Sequence, residues 1–308
     1  MSAPSVLYDA PGPKARTRNA FYTVLFAIAL LAALWWVISA MNDKNQLDWD
    51  KWSPYLAGTE AWTTYLLPGL QNTLIAAGLA MLMALPIGAL FGIARLSDHW
   101  WIARPAGAIV EFFRAIPVLL MMFFANEAYA LFTDIDRDIR PLYAVVTGLV
   151  IYNASVLAEV VRAGILSLPR GQTEAALAVG LRKGQLMSNV LLPQAVTAML
   201  PAIVSQLVVI VKDTALGGAL LGFGELINQA RPAQSYYGGN AIATLIVIAV
   251  LFILINSLLS WFASWLERRL RRRKKGSGAV LGTDMIEEQA PGMHLTGRAT
   301  GENTAGGL

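Results

Sequence analysis

The segment Ser167-Leu-Pro-Arg-Gly-Gln-Thr-Glu-Ala-Ala-Leu-Ala-Val-Gly-Leu-Arg-Lys-Gly-Gln185 is polar and basic, and it is enclosed by apolar runs at about 142–166 and 194–211. About 20 apolar residues cross a hydrocarbon core, so the flanking runs read as membrane spans and the segment as an exposed connection between them. Pro169 suits the start of a short helix and Gly180 its end. A short helix, a glycine break and a second short stretch make a knob; on spacing alone a packed loop helix is an equally open reading.

Working outward, further apolar runs appear at about 20–41, 68–94, 107–132 and 241–266. With the two flanking runs they predict an all-α integral membrane protein of six transmembrane helices, in keeping with 56% hydrophobic and 14% charged residues. The run at 20–41 exceeds the length of a secretory h-region and reads as a retained helix after an amino-terminal segment, 1–19. Residues 42–67 are polar with Trp49, Trp52 and Trp62, the composition of a stretch lying along the membrane interface. In the second span, Gly78, Pro86, Gly88 and Gly92 favour close helix packing. The third contains Glu111, Arg114 and Glu127 and must face protein or water. Residues 68–270 form the membrane domain. The tail 271–308 is basic and then aperiodic, the composition of a disordered segment.

Loop charges set the expected orientation, because Lys and Arg concentrate on the cytoplasmic side. Arg16 and Arg18, then Arg95 and Arg104, then Arg162, Arg170, Arg182 and Lys183, then the run from Arg268, fall on one side. Asp43, Asp48, Asp50, Glu60, Asp134, Asp136 and Asp138 fall on the other. Both termini and the 167–193 connection are thus expected in the cytoplasm, with every loop in agreement but the short last outer one, which sets Lys212 and Arg231 against Asp213 and Glu225. The basic run directly follows a span, so it reads as a membrane-surface anchor and not as a nucleic-acid site.

The chain has no cysteine, which excludes disulfides, a thiol nucleophile and thiolate metal sites. No His or carboxylate cluster lies within the spans to suggest an enzyme, and no metal is expected. No Gly-x-x-x-x-Gly-Lys-Ser/Thr phosphate loop occurs, so this chain cannot hold ATP through that motif.

Glu174-Ala175-Ala176, Gly180, Val190 and Leu192-Pro193 resemble the signature of the permeases of binding-protein-dependent ABC importers, with Val190 where Ile is common. The resemblance covers about 66–270 and narrows to the polar amino-acid branch through Glu111-Phe-Phe-Arg-Ala-Ile-Pro117, Ala158-Glu-Val-Val-Arg-Ala-Gly-Ile165 and Lys212-Asp-Thr214. Arg114-Ala115-Ile116-Pro117 departs from the usual Arg-Gly-Thr-Pro. Within that branch the chain looks most like the second permease of actinobacterial glutamate-uptake systems. The resemblance implies a type I ABC importer permease fold, in which 167–193 forms a coupling helix that meets a separate ATPase through Gly171, Gln172, Glu174, Ala175, Ala176 and Gly180. It also implies an ATPase dimer holding ATP and Mg, a second permease chain, an extracytoplasmic substrate-binding protein and a bacterial cell-membrane location. Five spans are common in the branch, so the helix at 20–41 is an addition.

Polar groups deep in spans are candidates for the substrate path: Arg114, Asn153 and Lys212. Arg114 and Lys212 suit a substrate carboxylate. Structural ion pairs are the competing reading, Glu111 with Arg114 or Glu159 with Arg162 one turn apart. Lys212 and Asp213 are expected to end the fifth span, with a Gly-rich, re-entrant-looking stretch from Thr214 to Gly224. A self-sufficient secondary transporter is the alternative function; no repeat between the halves supports it.

Overall fold

The computed structural model describes residues 12–274, which are helical with no strand among them. The elements are α1 (Pro13–Asp43), α2 (Trp49–Leu56), α3 (Leu67–Ala94), α4 (Trp100–Ala115), α5 (Val118–Phe132), α6 (Arg140–Leu166), α7 (Arg170–Ala178), α8 (Lys183–Leu186), α9 (Leu192–Leu221), α10 (Ala230–Tyr236) and α11 (Ala241–Lys274). Five helical stretches are long and apolar enough to cross a membrane, and six if the bent pair α4–α5 counts as one span. The aperiodic tail lies outside the described residues, as do residues 1–11 of the amino-terminal segment.

α6 is the centre of the bundle and packs against α3, α4, α5 and α9. Helices in lipid gain little from hiding apolar surface, so association depends on how closely backbones approach. α3 supplies that closeness with a stripe of small buried residues: Thr73, Ala76, Ala77, Ala80, Ala84, Gly88 and Gly92. A Cβ on Gly88 would stand 2.7 Å from Leu157 Cβ and 2.8 Å from the Ala154 carbonyl oxygen. One on Gly92 would stand 2.6 Å from the Ala158 carbonyl oxygen. Gly78 differs, since it faces open space.

The third span is not one helix as expected. α4 and α5 meet at 98°. Ile116 is extended (φ −90°, ψ 130°), as steric conflict with a following proline demands, and Pro117 has no N–H to carry helical bonding across the break.

The fifth span also differs, because the helix continues through Lys212 and Asp213 to Leu221. The expected re-entrant stretch is therefore mostly helix, and only the turn at Gly222 (φ +74°) and the segment after it leave the span. Gly217 and Gly218 are buried, and Val145 occupies the space a side chain on Gly217 would need. Glycine serves contact here, and not chain reversal.

The interfacial segment is more ordered than its composition suggests. Tyr55 is buried, its hydroxyl 2.6 Å from Thr244 Oγ1 at the start of α11, and Lys51 Nζ donates to the Gly238 carbonyl at 2.9 Å. α1, by contrast, has no buried residue and stands apart from this core.

Candidate coupling segment and translocation path

α7 has the form expected of a knob. Its end is a left-handed glycine cap: Gly180 (φ +82°) donates to the Leu177 carbonyl at 2.9 Å, and Leu181 donates to the Ala176 carbonyl at 3.1 Å. Ala176 is buried and anchors the helix on a cluster with Ile165, Leu186 and Ala195, which joins it to the ends of α6 and α9. The outward side carries Gly171, Glu174, Ala175 and Gly180, with Leu177 and Val179 as exposed apolar residues. Gln172 is half-buried, and its Oε1 has no hydrogen-bond partner among the described residues.

Two ionic contacts brace the same end of the bundle. Lys183, at the start of α8, pairs with Asp98 in the α3–α4 turn. Arg95, which caps α3, reaches Glu159 of α6 at 2.7 Å and Glu111 of α4 at 3.2 Å. Glu159 also accepts Arg162 Nη2 at 2.7 Å and Nε at 3.2 Å. The expected Glu111–Arg114 pair is replaced: Arg95 takes Glu111, while Arg114 comes only to 3.9 Å of Glu159. The close approach of α3 to α6 at Gly92 brings Arg95 into the place that local spacing reserved for Arg114.

Asn153, a candidate for the substrate path, lies between α6 and α9 in this chain. It is fully buried, donates to the Leu149 carbonyl at 2.7 Å and receives Gln206 Nε2 at 2.5 Å. Its amide ties α6 to α9. Lys212, nine residues before the end of α9, instead lines a cavity of about 770 Å³ between α9 and α11. The walls include Val208, Ile248 and Phe252, with Asn256, Ser257 and Ser260 as polar groups. Asn256 Nδ2 donates to the Phe252 carbonyl, whereas its buried Oδ1 has no partner among the described residues. The cavity thus presents one cation, Lys212, with three polar residues in an otherwise apolar slot.

Residues 84–272 match the family of binding-protein-dependent transport system inner membrane components. The chain belongs to that family. It is 42% identical to the glutamate transport system permease protein GluD of Corynebacterium glutamicum, over 75% of this chain and 84% of the relative. It is 32% identical to the glutamine transport system permease protein GlnP of Escherichia coli, over 67% and 93%. A solved structure of an amino acid ABC transporter with histidines superposes with a TM-score of 0.61 at 28% identity, covering 68% of this chain and 95% of that one. The likeness supplies the fold of a type I importer permease, a multi-pass membrane protein and transport subunit.

This permease contains side-chain contacts that the sequence does not single out: those of Arg95, Asp98, Lys183, Gln206, Glu225 and Asn256. Arg95 and Lys183 stand out there only as topological charges. Asn256 lay inside an apolar run, and its depth there was the signal that could have marked it. Glu225 is fully buried in the segment after α9, accepting the Ile227 and Asn228 N–H groups at 2.8 and 2.9 Å. Nothing in its sequence neighbourhood announces that burial.

Proposed function

We propose that this permease imports an acidic amino acid, glutamate by preference, as one of two permease chains driven by a separate ABC ATPase dimer. ATP and Mg bind that partner, and an extracytoplasmic binding protein delivers the substrate. The basic end of the bundle faces the cytoplasm, with both termini there, in a bacterial cell membrane. The observation that carries this reading is α7: a capped short helix between two spans, with Leu177 and Val179 exposed. Exposed apolar residues beside small ones fit a partner groove. Substrate preference is supported by the name of the 42% identical relative and by Lys212 in its apolar cavity, where a charge-assisted bond to carboxylate is strong.

ATP-driven closure of the partner would move α7, and the Lys183–Asp98 and Arg95–Glu159 contacts would carry that movement to α3, α4 and α6. The test is purification from detergent followed by reconstitution with the binding protein. Copurification of an ATPase and a second permease, with ATP-dependent glutamate uptake, is expected. A lone chain that takes up amino acid without ATP overturns the reading.

A further inference from the structure

A further cavity, of about 460 Å³, opens where the turn after α3 meets α8 and the π-helical turn that leads into α9. Its lining is divided by depth. Ile93 and Ile102, in the last turn of α3 and the first turn of α4, and Met187 and Leu192, at the start of the π-helical turn and of α9, form an apolar floor. Ser97, Asp98 and His99 from the turn, with Lys183 at the start of α8, form a polar rim.

The first residues of α4 fix the height of that rim against a bilayer. Trp100 and Trp101 are both exposed, His99 stacks on Trp101 with ring centroids 4.7 Å apart, and Arg104 lies 5.6 Å over the Trp100 ring. Indole rings settle at the level of lipid headgroups, so the rim stands among headgroups and the floor beside the upper acyl chains. Asp98 and Lys183 pair with one another, yet neither is saturated. The pair uses one of three ammonium N–H donors, and Asp98 Oδ2 accepts no hydrogen bond among the described residues. One cation and one anion thus stand side by side over an apolar slot.

We infer that this cavity holds a phospholipid whose headgroup carries a primary ammonium, as phosphatidylethanolamine does. The lipid phosphate takes the open Lys183 donors, the ammonium donates to Asp98 Oδ2, and the first part of an acyl chain lies over Ile93, Ile102, Met187 and Leu192. Charge decides the class of headgroup: an anionic one gains at Lys183 and loses at Asp98, and a choline has no N–H to give Asp98. The apolar floor separates a lipid from a free zwitterion, which would leave that floor bare to water. The site goes beyond the importer reading and holds for whatever solute the permease carries.

The experiment takes the full-length permease from detergent with the chains that copurify with it, strips its lipid and adds back phosphatidylethanolamine, phosphatidylcholine or phosphatidylglycerol of identical acyl chains. Native mass spectrometry counts the lipid bound. The wild type should hold one phosphatidylethanolamine about fivefold or more tighter than either other lipid. Asp98→Asn keeps the shape and removes the anion, so it should bring phosphatidylethanolamine and phosphatidylcholine within about twofold of each other, whereas a purely structural role would weaken both alike. Ile102→Trp, which fills the slot, should abolish retention of this lipid. A wild type that does not discriminate, or that prefers phosphatidylglycerol, overturns the inference, as does a preference that Asp98→Asn leaves intact. Displacement of the lipid by free phosphoethanolamine or glutamate also overturns it, because the rim would then recognise a soluble zwitterion without the acyl chain.

Discussion

Lys183 Nζ and Asp98 form an ion pair that joins α8, the second helix of the proposed coupling segment, to the turn after α3. Both side chains are substantially exposed, at 47% and 70%, so the pair contributes no more than about 1 kcal/mol to stability. Its value is positional. Charge reversal at either residue should therefore cut ATP-dependent uptake severalfold while leaving the melting midpoint within about 2 °C. The double swap, Asp98→Lys with Lys183→Asp, should recover uptake, which is measured in proteoliposomes. A swap that transports no better than the single variants removes the pair from the coupling route.

The α3–α6 contact depends on hydrogen-sized side chains. Gly88→Val places methyl groups where Leu157 and the Ala154 carbonyl already lie, and Gly92→Val does so against Ala158 and Val161. Overpacking of this kind costs about 1–3 kcal/mol, and more where backbone blocks relief. Gly78→Val, facing open space, should cost well under 1 kcal/mol. Thermal unfolding in detergent should rank the three accordingly, with Gly78→Val near the wild type.

Much of the bundle was legible because apolar length and loop charge are properties of the chain alone. Lys212 and Asp213 show where that reading stops. Two charges suggest the end of a span, but the helix runs on through them to Leu221, and Lys212 lines a cavity beside α11. The bend at Ile116–Pro117 was written in the sequence, but its 98° turn depends on how α4 and α5 lie on α6. Local spacing paired Glu111 with Arg114, and the close approach of α3 to α6 put Arg95 there instead. Asn153 shows the same limit: depth marks a polar group as consequential without naming Gln206, 53 residues on, as its partner.

Gly180 separates two demands on one position. Its φ of +82° disfavours any side chain, yet a Cβ there meets nothing within 4 Å. Gly180→Ala should therefore loosen the end of α7 by about 1 kcal/mol and reduce uptake only in part. Gly180→Trp adds bulk on the face proposed to meet the ATPase, and Glu174→Lys reverses charge on the same face. Both should abolish uptake and ATPase copurification while membrane insertion continues. Normal transport by Gly180→Trp would remove α7 from the ATPase interface.

Glu225 should make the end of the bundle where α9 stops sensitive to pH. Burial pushes its carboxyl from the ordinary 4.5 up to about 7, while hydrogen bonds from Ile227, Asn228 and Thr73 pull the other way. The folded protein then holds this proton more tightly than the unfolded chain. Stability from this group is complete below about pH 4.5 and is lost as pH rises to about 7. Glu225→Gln keeps an oxygen acceptor for the two N–H groups and removes the charge. Its melting midpoint should exceed that of the wild type at pH 8, with the difference narrowing toward pH 5. A difference that is constant over this interval, or that widens at low pH, contradicts a proton-holding Glu225. Gly218→Ala provides a structural control. Its added Cβ runs into the Glu225 carboxylate, so it should destabilise the protein across the whole pH range.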